Sequence, residues 1–398
     1  MALGEGHAED TPVVLTPRAN PDLVGHEDAA RELRRLLEAG RLPHAILLSG
    51  PRGIGKATLA FRFARFLLAR GDHSTEAAGK DGLAIARESA VFHRVAAGGH
   101  ADLLTVERGY DPRRRRLRGE IVVDNAREIT SFFRLTAAED GWRIVVVDGA
   151  EEMNTSAANA LLKVLEEPPR QALLVLVSHS PGRLLPTVRS RCRRFPLAPL
   201  AHDVVAQLLR RYRPDLPQPE AEALAVLSGR SIGRALELAD AGGLRLYRSI
   251  LEMLSQMPGI DVIRVHAFAD QLARVDADDS YRVAWELLLQ ILARITTRRA
   301  GRQLEGDEIA AGENAATWRL AARASASQWA ALREDIERGF VSTDQLNLDR
   351  KQAVLGAFFA IEKLTRSRSV VARDCGVRCV QQDRSWFGLN GLVISALA

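Results

Sequence analysis

The chain has 398 residues, too many for one ordinary core and enough for two or three domains built without metal or disulfide staples. An apolar share of 46% and a charged share of 26% exclude a disordered or fibrous chain, and no apolar run approaches the roughly 20 residues of a membrane span. The net charge of +5 fits contact with phosphates or an acidic partner without establishing it, and the three cysteines, Cys192, Cys375 and Cys379, argue against a disulfide framework.

Met1 to Asp10 is polar and acidic with no apolar h-region, so no signal peptide is expected and a cytoplasmic protein is. Residues 1–18 read as a disordered leader, and Asn20-Pro21 and Gly25 punctuate the entry to a helix over 27–39. An apolar strand over 44–49 then runs into Gly50-Pro51-Arg52-Gly53-Ile54-Gly55-Lys56, followed by apolar positions at helical spacing through Leu68. Further strands are expected over 103–107, 142–148 and 172–178. Helices are expected over 124–135 and 154–166, the second stopping before Pro168-Pro169. This alternation predicts a parallel sheet covered on both faces. Beyond Pro196 the strands disappear: 200–242 reads as a small helical unit and 246–365 as a longer helical domain. Residues 366–398 show no convincing periodicity.

Gly50 to Lys56 fits the phosphate-binding pattern G-x-x-x-x-G-K, in which glycines let backbone amides turn toward phosphates and the lysine reaches the terminal ones. The next position should carry a magnesium-ligating hydroxyl and is Ala57; Thr58 comes one residue, about 100° of helix, too late. The strand Ile144 to Asp148 ends in the acid that sits beside such a loop, but the water-orienting acid expected next is Gly149, with Glu151 and Glu152 further on. Asp148 is therefore either the remnant of a metal site or a working magnesium ligand, and both readings stay open. The cradle residues Gly50, Gly53, Gly55 and Lys56 can still bind nucleotide, or persist as a turn kept for packing. Two arginine knots stand out, Arg113 to Arg116 with Arg118, and Arg189, Arg191, Arg193 and Arg194. The first reads as a solvated hairpin tip or as a nucleic-acid contact.

Several of these segments resemble one family, the delta-prime subunit of the bacterial DNA polymerase III clamp loader, an AAA+ protein. The resemblance is carried by Asn20-Pro21 with Leu23 to His26, by Gly40 to Ala45, and by Val147 to Asn154. Ala158 to Pro169 and Leu185 to Cys192 are the most specific segments, and Asn347 to Gln352 is a further echo. The resemblance implies an AAA+ P-loop α/β domain over 19–198, a small helical lid over 199–244 and a helical collar for oligomerisation over 245–365, with a tail over 366–398. It implies a stator in a heteropentamer with gamma/tau and delta subunits that sets the sliding clamp on primed DNA, with no membrane contact. Arg191 of Ser190-Arg191-Cys192 then corresponds to an arginine finger, presented to ATP in a neighbouring subunit; capping a helix end or pairing with an acid is the plainer role. Arg234 resembles a second-sensor arginine facing the chain's own P-loop, with packing between lid and core as the alternative. No zinc is expected, since residues 70–100 lack the four cysteines many relatives carry there. No cofactor is required, although the retained Lys56 makes weak binding of ATP or ADP an expectation. The rival within the family is an ATP-hydrolysing gamma/tau-type motor subunit, which would need a hydroxyl at 57 and an acid at 149.

Overall fold

Helix α1 (Glu27–Glu38) forms because Ala30, Leu33 and Leu36 recur on one face, and that face is buried. It leads to strand β1 (Ala45–Ser49), the glycine loop and helix α2 (Lys56–Ala69), which is buried on nearly every side. The computed structural model describes residues 15–70, 82–111, 116–117, 119–138, 141–274, 277–302, 308–346 and 348–366. Helix α3 (Ala90–Ala96) is capped by Ser89, whose hydroxyl accepts from the Phe92 amide at 3.2 Å. Strand β2 (Leu103–Val106) follows, then two short strands, β3 (Tyr110–Asp111) and β4 (Arg116–Leu117), paired antiparallel. Of the first arginine knot only Arg116, in β4, is described; residues 112–115 and 118 lie outside the described residues.

Helix α4 (Val123–Arg134), strand β5 (Arg143–Asp148), helix α5 (Thr155–Glu166) and strand β6 (Ala172–Ser178) complete the alternation. Asn154 caps α5 by accepting from the Ala157 amide at 2.9 Å. A one-turn helix α6 (Pro186–Arg189) precedes strand β7 (Arg193–Pro196). The sheet order is β2-β5-β6-β1-β7, every pair parallel. Strands here read as continuous apolar runs because both faces are covered. Ile46, Leu48, Ile144, Val146 and Val175 pack with α1 to α3, while the alternate residues Leu47, Val145, Val147 and Leu174 pack with α4 and α5. Strand β7 was not expected from the sequence: only Phe195 of its four residues is buried, and its arginines read as a charge cluster.

The helical part begins with α7 (His202–Tyr212), α8 (Gln218–Leu227) and α9 (Ile232–Asp240) and continues with α10 (Gly243–Ser255), α11 (Val262–Leu272), α12 (Asp278–Arg299), α13 (Glu313–Ala321), α14 (Ala326–Leu346) and α15 (Arg350–Arg366). One hydrophobic core runs through it from Leu200 to Ile361. The lid–collar boundary expected at 244/245 falls inside α10, whose first turn starts after Gly242 in the left-handed conformation (φ +66°). Asp349 caps α15, accepting from the Lys351 amide at 2.8 Å; the tail over 367–398 lies outside the described residues.

At its start α9 docks on the glycine loop. Ser231 Oγ donates to the Arg52 carbonyl at 2.7 Å and the Gly233 amide to the Gly53 carbonyl at 2.9 Å. A Cβ on Gly233 would lie 2.9 Å from Gly53 Cα and 3.2 Å from its carbonyl oxygen, both backbone atoms that no rotamer change can move. Gly233→Ala is expected to destabilise the fold by about 1–3 kcal/mol. Gly99→Ala, with open space at its Cβ, is the control. Urea titrations of the two variants check this, and equal midpoints would show the contact to be slack.

Candidate nucleotide site and the exposed arginine

At the carboxyl ends of the strands a cavity of about 560 Å³ opens, the usual place for a ligand on an open parallel sheet. One wall is the glycine loop and the start of α2, with Gly53, Gly55, Lys56, Ala57 and Thr58. Gly50 (φ +155°), Gly53 (φ +75°) and Gly55 (φ +101°) hold the loop, and a Cβ on Gly50 would lie 2.3 Å from the Leu197 carbonyl oxygen. In a trans peptide the C=O and N–H point in opposite directions. The lid's bonds to the Arg52 and Gly53 carbonyls therefore turn the Gly53 and Ile54 amides away from the lid. Lys56 is only 3% exposed, and its Nζ donates to the Pro51 carbonyl. Burial pulls its ammonium down to about 8, with Asp148 and Glu151 opposing.

The opposite wall is acidic. Asp148 lines the cavity, and burial, reinforced by Glu107, raises its carboxyl above the usual range while Lys56 opposes. Gly149 takes a left-handed φ of +77° and starts the tight turn Ala150–Glu152. That turn separates the two following acids. Glu151 is buried and accepts from the His179 and Ser180 amides at 2.8 and 3.2 Å. Burial raises its carboxyl, but amide donors, its own and that of His179, hold it below the usual range on balance. Glu152 reaches the cavity wall and pairs with Arg108 at 2.8 Å. His179 also lines the cavity; burial lowers its imidazole and its Nδ1 is buried with no hydrogen-bond partner among the described residues. Glu152 was named from the sequence only as an acid lying beyond the expected position 149, and His179 was not singled out, since no fixed spacing links it to the glycine loop.

The roof is the segment 15–24. Leu15 and Pro17 line the cavity, so the last positions of the expected leader belong to the domain. Two arginines of α2 hold it there. Arg65 Nη1 donates to the Arg18 carbonyl at 2.7 Å and Nη2 to the Asn20 carbonyl at 2.6 Å, while Arg62 donates to the Pro21 carbonyl. Arg65 also lies over the Phe92 ring, 4.8 Å from its centroid, and burial lowers its guanidinium to about 10. Asp22 ties the segment to α7 through Arg211 at 2.8 Å. A cradle of positive-φ glycines, a buried lysine and a roofed cavity of this size together fit a nucleoside di- or triphosphate.

The two remaining sequence candidates lie elsewhere. The Arg234 guanidinium pairs with Glu237 at 3.1 Å and with Glu286 of α12, which puts it at the joint of lid and collar; the cavity is lined instead by its neighbour Gly233. Arg191 stands outside the cavity after α6, with Nη2 donating to Glu166 Oε1 at 2.6 Å and Nη1 to the Thr187 carbonyl at 3.0 Å. Its neighbour Cys192 is half-buried, and burial pushes the thiol up to about 12, which disfavours the thiolate.

Residues 25–201 match the protein-family model described as DNA polymerase III, delta subunit. Over 218 residues the chain is 40% identical to DNA polymerase III subunit delta' of Pseudomonas aeruginosa, a match covering 54% of this chain and 61% of that one. This domain belongs to the AAA+ clamp-loader family of DNA polymerase III. The clamp-loader domain is also 31% identical over 220 residues to subunit delta' of Escherichia coli, covering 55% of this chain and 61% of that one. Against subunit gamma/tau of Mycobacterium tuberculosis the identity is 31% over 195 residues, covering 49% of this chain and 31% of the other. The matches thus span 61% of the delta-prime relatives' length and under a third of the gamma/tau relative's. No helix among the described residues is long and apolar enough to cross a membrane.

Proposed function

We propose that the chain is the delta-prime-type stator of a DNA polymerase III clamp loader, working in the cytoplasm at the replisome. It joins gamma/tau and delta subunits in a heteropentamer that opens the sliding clamp and sets it on primed DNA. It turns over no ATP itself and lends Arg191 to ATP held by a neighbouring gamma/tau-type subunit. The observation that carries this reading is a division of labour. The chain's own cavity has Ala57 and Gly149 where a magnesium-ligating hydroxyl and a water-orienting acid would stand, while Arg191 is displayed outside that cavity. A guanidinium in that position neutralises charge developing on a γ-phosphate without the subunit having a complete site of its own.

The gamma/tau-type motor is the second reading, and Glu152 favours it, as the one acid the Gly149 turn brings to the cavity wall beside Asp148. ATPase assays on the purified chain, alone and mixed with gamma/tau and delta subunits, separate the two. The stator reading expects no turnover alone and co-elution with the mixture. Multiple turnovers by the isolated chain, or failure to co-elute, would overturn it.

The chain's own site binds ATP or ADP as a retained ligand, with the Gly53 and Ile54 amides and Lys56 meeting the phosphates. Charge on Lys56 is required, so affinity is full below its pKa of about 8 and lost as pH rises through it. His179, held low by burial, stays neutral across that window. ADP affinity is expected to fall up to about tenfold per pH unit above pH 8, read by calorimetric titration at pH 7, 8 and 9. Lys56→Ala should remove binding, and a flat pH profile in the unaltered chain would contradict the role given to Lys56.

A further inference from the structure

Glu166 is the last residue of α5, and Glu167 follows it. Carboxylates there face the negative end of the helix macrodipole, so helix stability does not explain their presence. The Glu166 carboxylate is instead spent on Arg191, at 2.6 Å, with the two side chains 51% and 37% exposed. An ion pair that open adds little to folding. Its consequence is geometric. A guanidinium carries five N–H donors in one plane. Two of them are engaged by Glu166 and the Thr187 carbonyl, which fixes the plane and leaves three donors for an incoming ligand. Thr187 lies on α6, the turn that Arg191 directly follows, so the Glu166 carboxylate on α5 is the contact that braces the arginine from outside its own segment. Without such a brace a partly exposed arginine samples many rotamers and must be ordered each time it meets a phosphate.

We infer that Glu166 is a positioning residue, whose carboxylate holds the Arg191 guanidinium in the plane in which it meets a phosphate bound on a neighbouring subunit. The inference rests on the finger role proposed for Arg191. A carboxylate that only parked the arginine would have to be displaced before each reaction, and its removal would then speed turnover.

The reconstituted complex, with Glu166→Ala, Glu166→Gln, Arg191→Ala and the Glu166→Ala/Arg191→Ala pair, distinguishes these cases. Glu166→Ala is expected to lower kcat for ATP about fivefold, the scale of one lost exposed ion pair, with KM for ATP unchanged. Glu166→Gln keeps a carbonyl oxygen at the same reach and is expected to recover most of the rate. The double variant should turn over no more slowly than Arg191→Ala alone, because Glu166 acts only through that arginine; a side chain that merely supported the fold would add its own loss. A Glu166→Ala rate at or above the unaltered complex beside a slow Arg191→Ala, or an additive double variant, overturns the positioning role alone. An unchanged Arg191→Ala overturns the finger reading and this inference with it.

Discussion

On the stator reading proposed above, Arg191→Ala in the assembled complex is expected to lower ATP turnover at one neighbouring site by on the order of 10³-fold, and to leave the subunit as stable as before. The size follows from where the charge appears: a guanidinium aimed at the equatorial oxygens of a transferring phosphoryl group acts mainly in the transition state. The lack of a folding penalty follows from the surroundings. Arg191 contacts one half-exposed carboxylate and one carbonyl, and surface substitutions of this kind stay within about 0.5 kcal/mol. Arg191→Lys should not restore the rate, because an ammonium cannot reproduce the planar fork. Single-turnover hydrolysis in the reconstituted complex resolves the one site served, and gel filtration shows whether assembly survives. Turnover unchanged in an intact complex would rule out the finger role.

Much of the nucleotide domain was legible because its elements are locally consistent. The runs 45–48, 144–147 and 172–177 are apolar on both faces, and a glycine or a proline marks an end of α2 and of α5. What escaped has physical reasons. Strand β7 gets its place from pairing with β1, where Arg194 Nε donates to Ser49 Oγ at 3.0 Å, and not from its own burial pattern. The cavity roof has no periodicity at all; its signal lay in α2, where Arg62 and Arg65 sit three apart in a stretch, 59–69, that is otherwise apolar all round. Arginines there have to find acceptors, and the segment 18–21 supplies them. Arg234 was legible as a lid residue, but Glu286, the acid its side chain meets, is 52 positions later by subtraction of the residue numbers and invisible to any local pattern.

Glu313→Ala is expected to cost about 3–5 kcal/mol, the usual consequence of removing one partner from a buried ion pair. Glu313 is 0% exposed at the start of α13; Arg294 of α12 lies 2.5 Å from its Oε1, and its Oε2 accepts from the Ile309 amide at 2.9 Å. Burial, with the Glu313 charge beside it, pushes the Tyr247 hydroxyl of α10 above its ordinary range, so three collar helices meet at this carboxylate. Alanine leaves the Arg294 guanidinium, itself only 12% exposed, without its counter-charge, and the Ile309 amide without its acceptor. Arg294→Met combined with Glu313→Leu removes both charges together and should regain most of the loss, since a matched apolar pair needs no desolvation. Urea unfolding of the single and double variants measures both effects. Equal midpoints for Glu313→Ala and the unaltered chain would mean that water reaches Arg294 in the folded state, and that apolar packing among α10, α12 and α13 holds the collar without the ion pair.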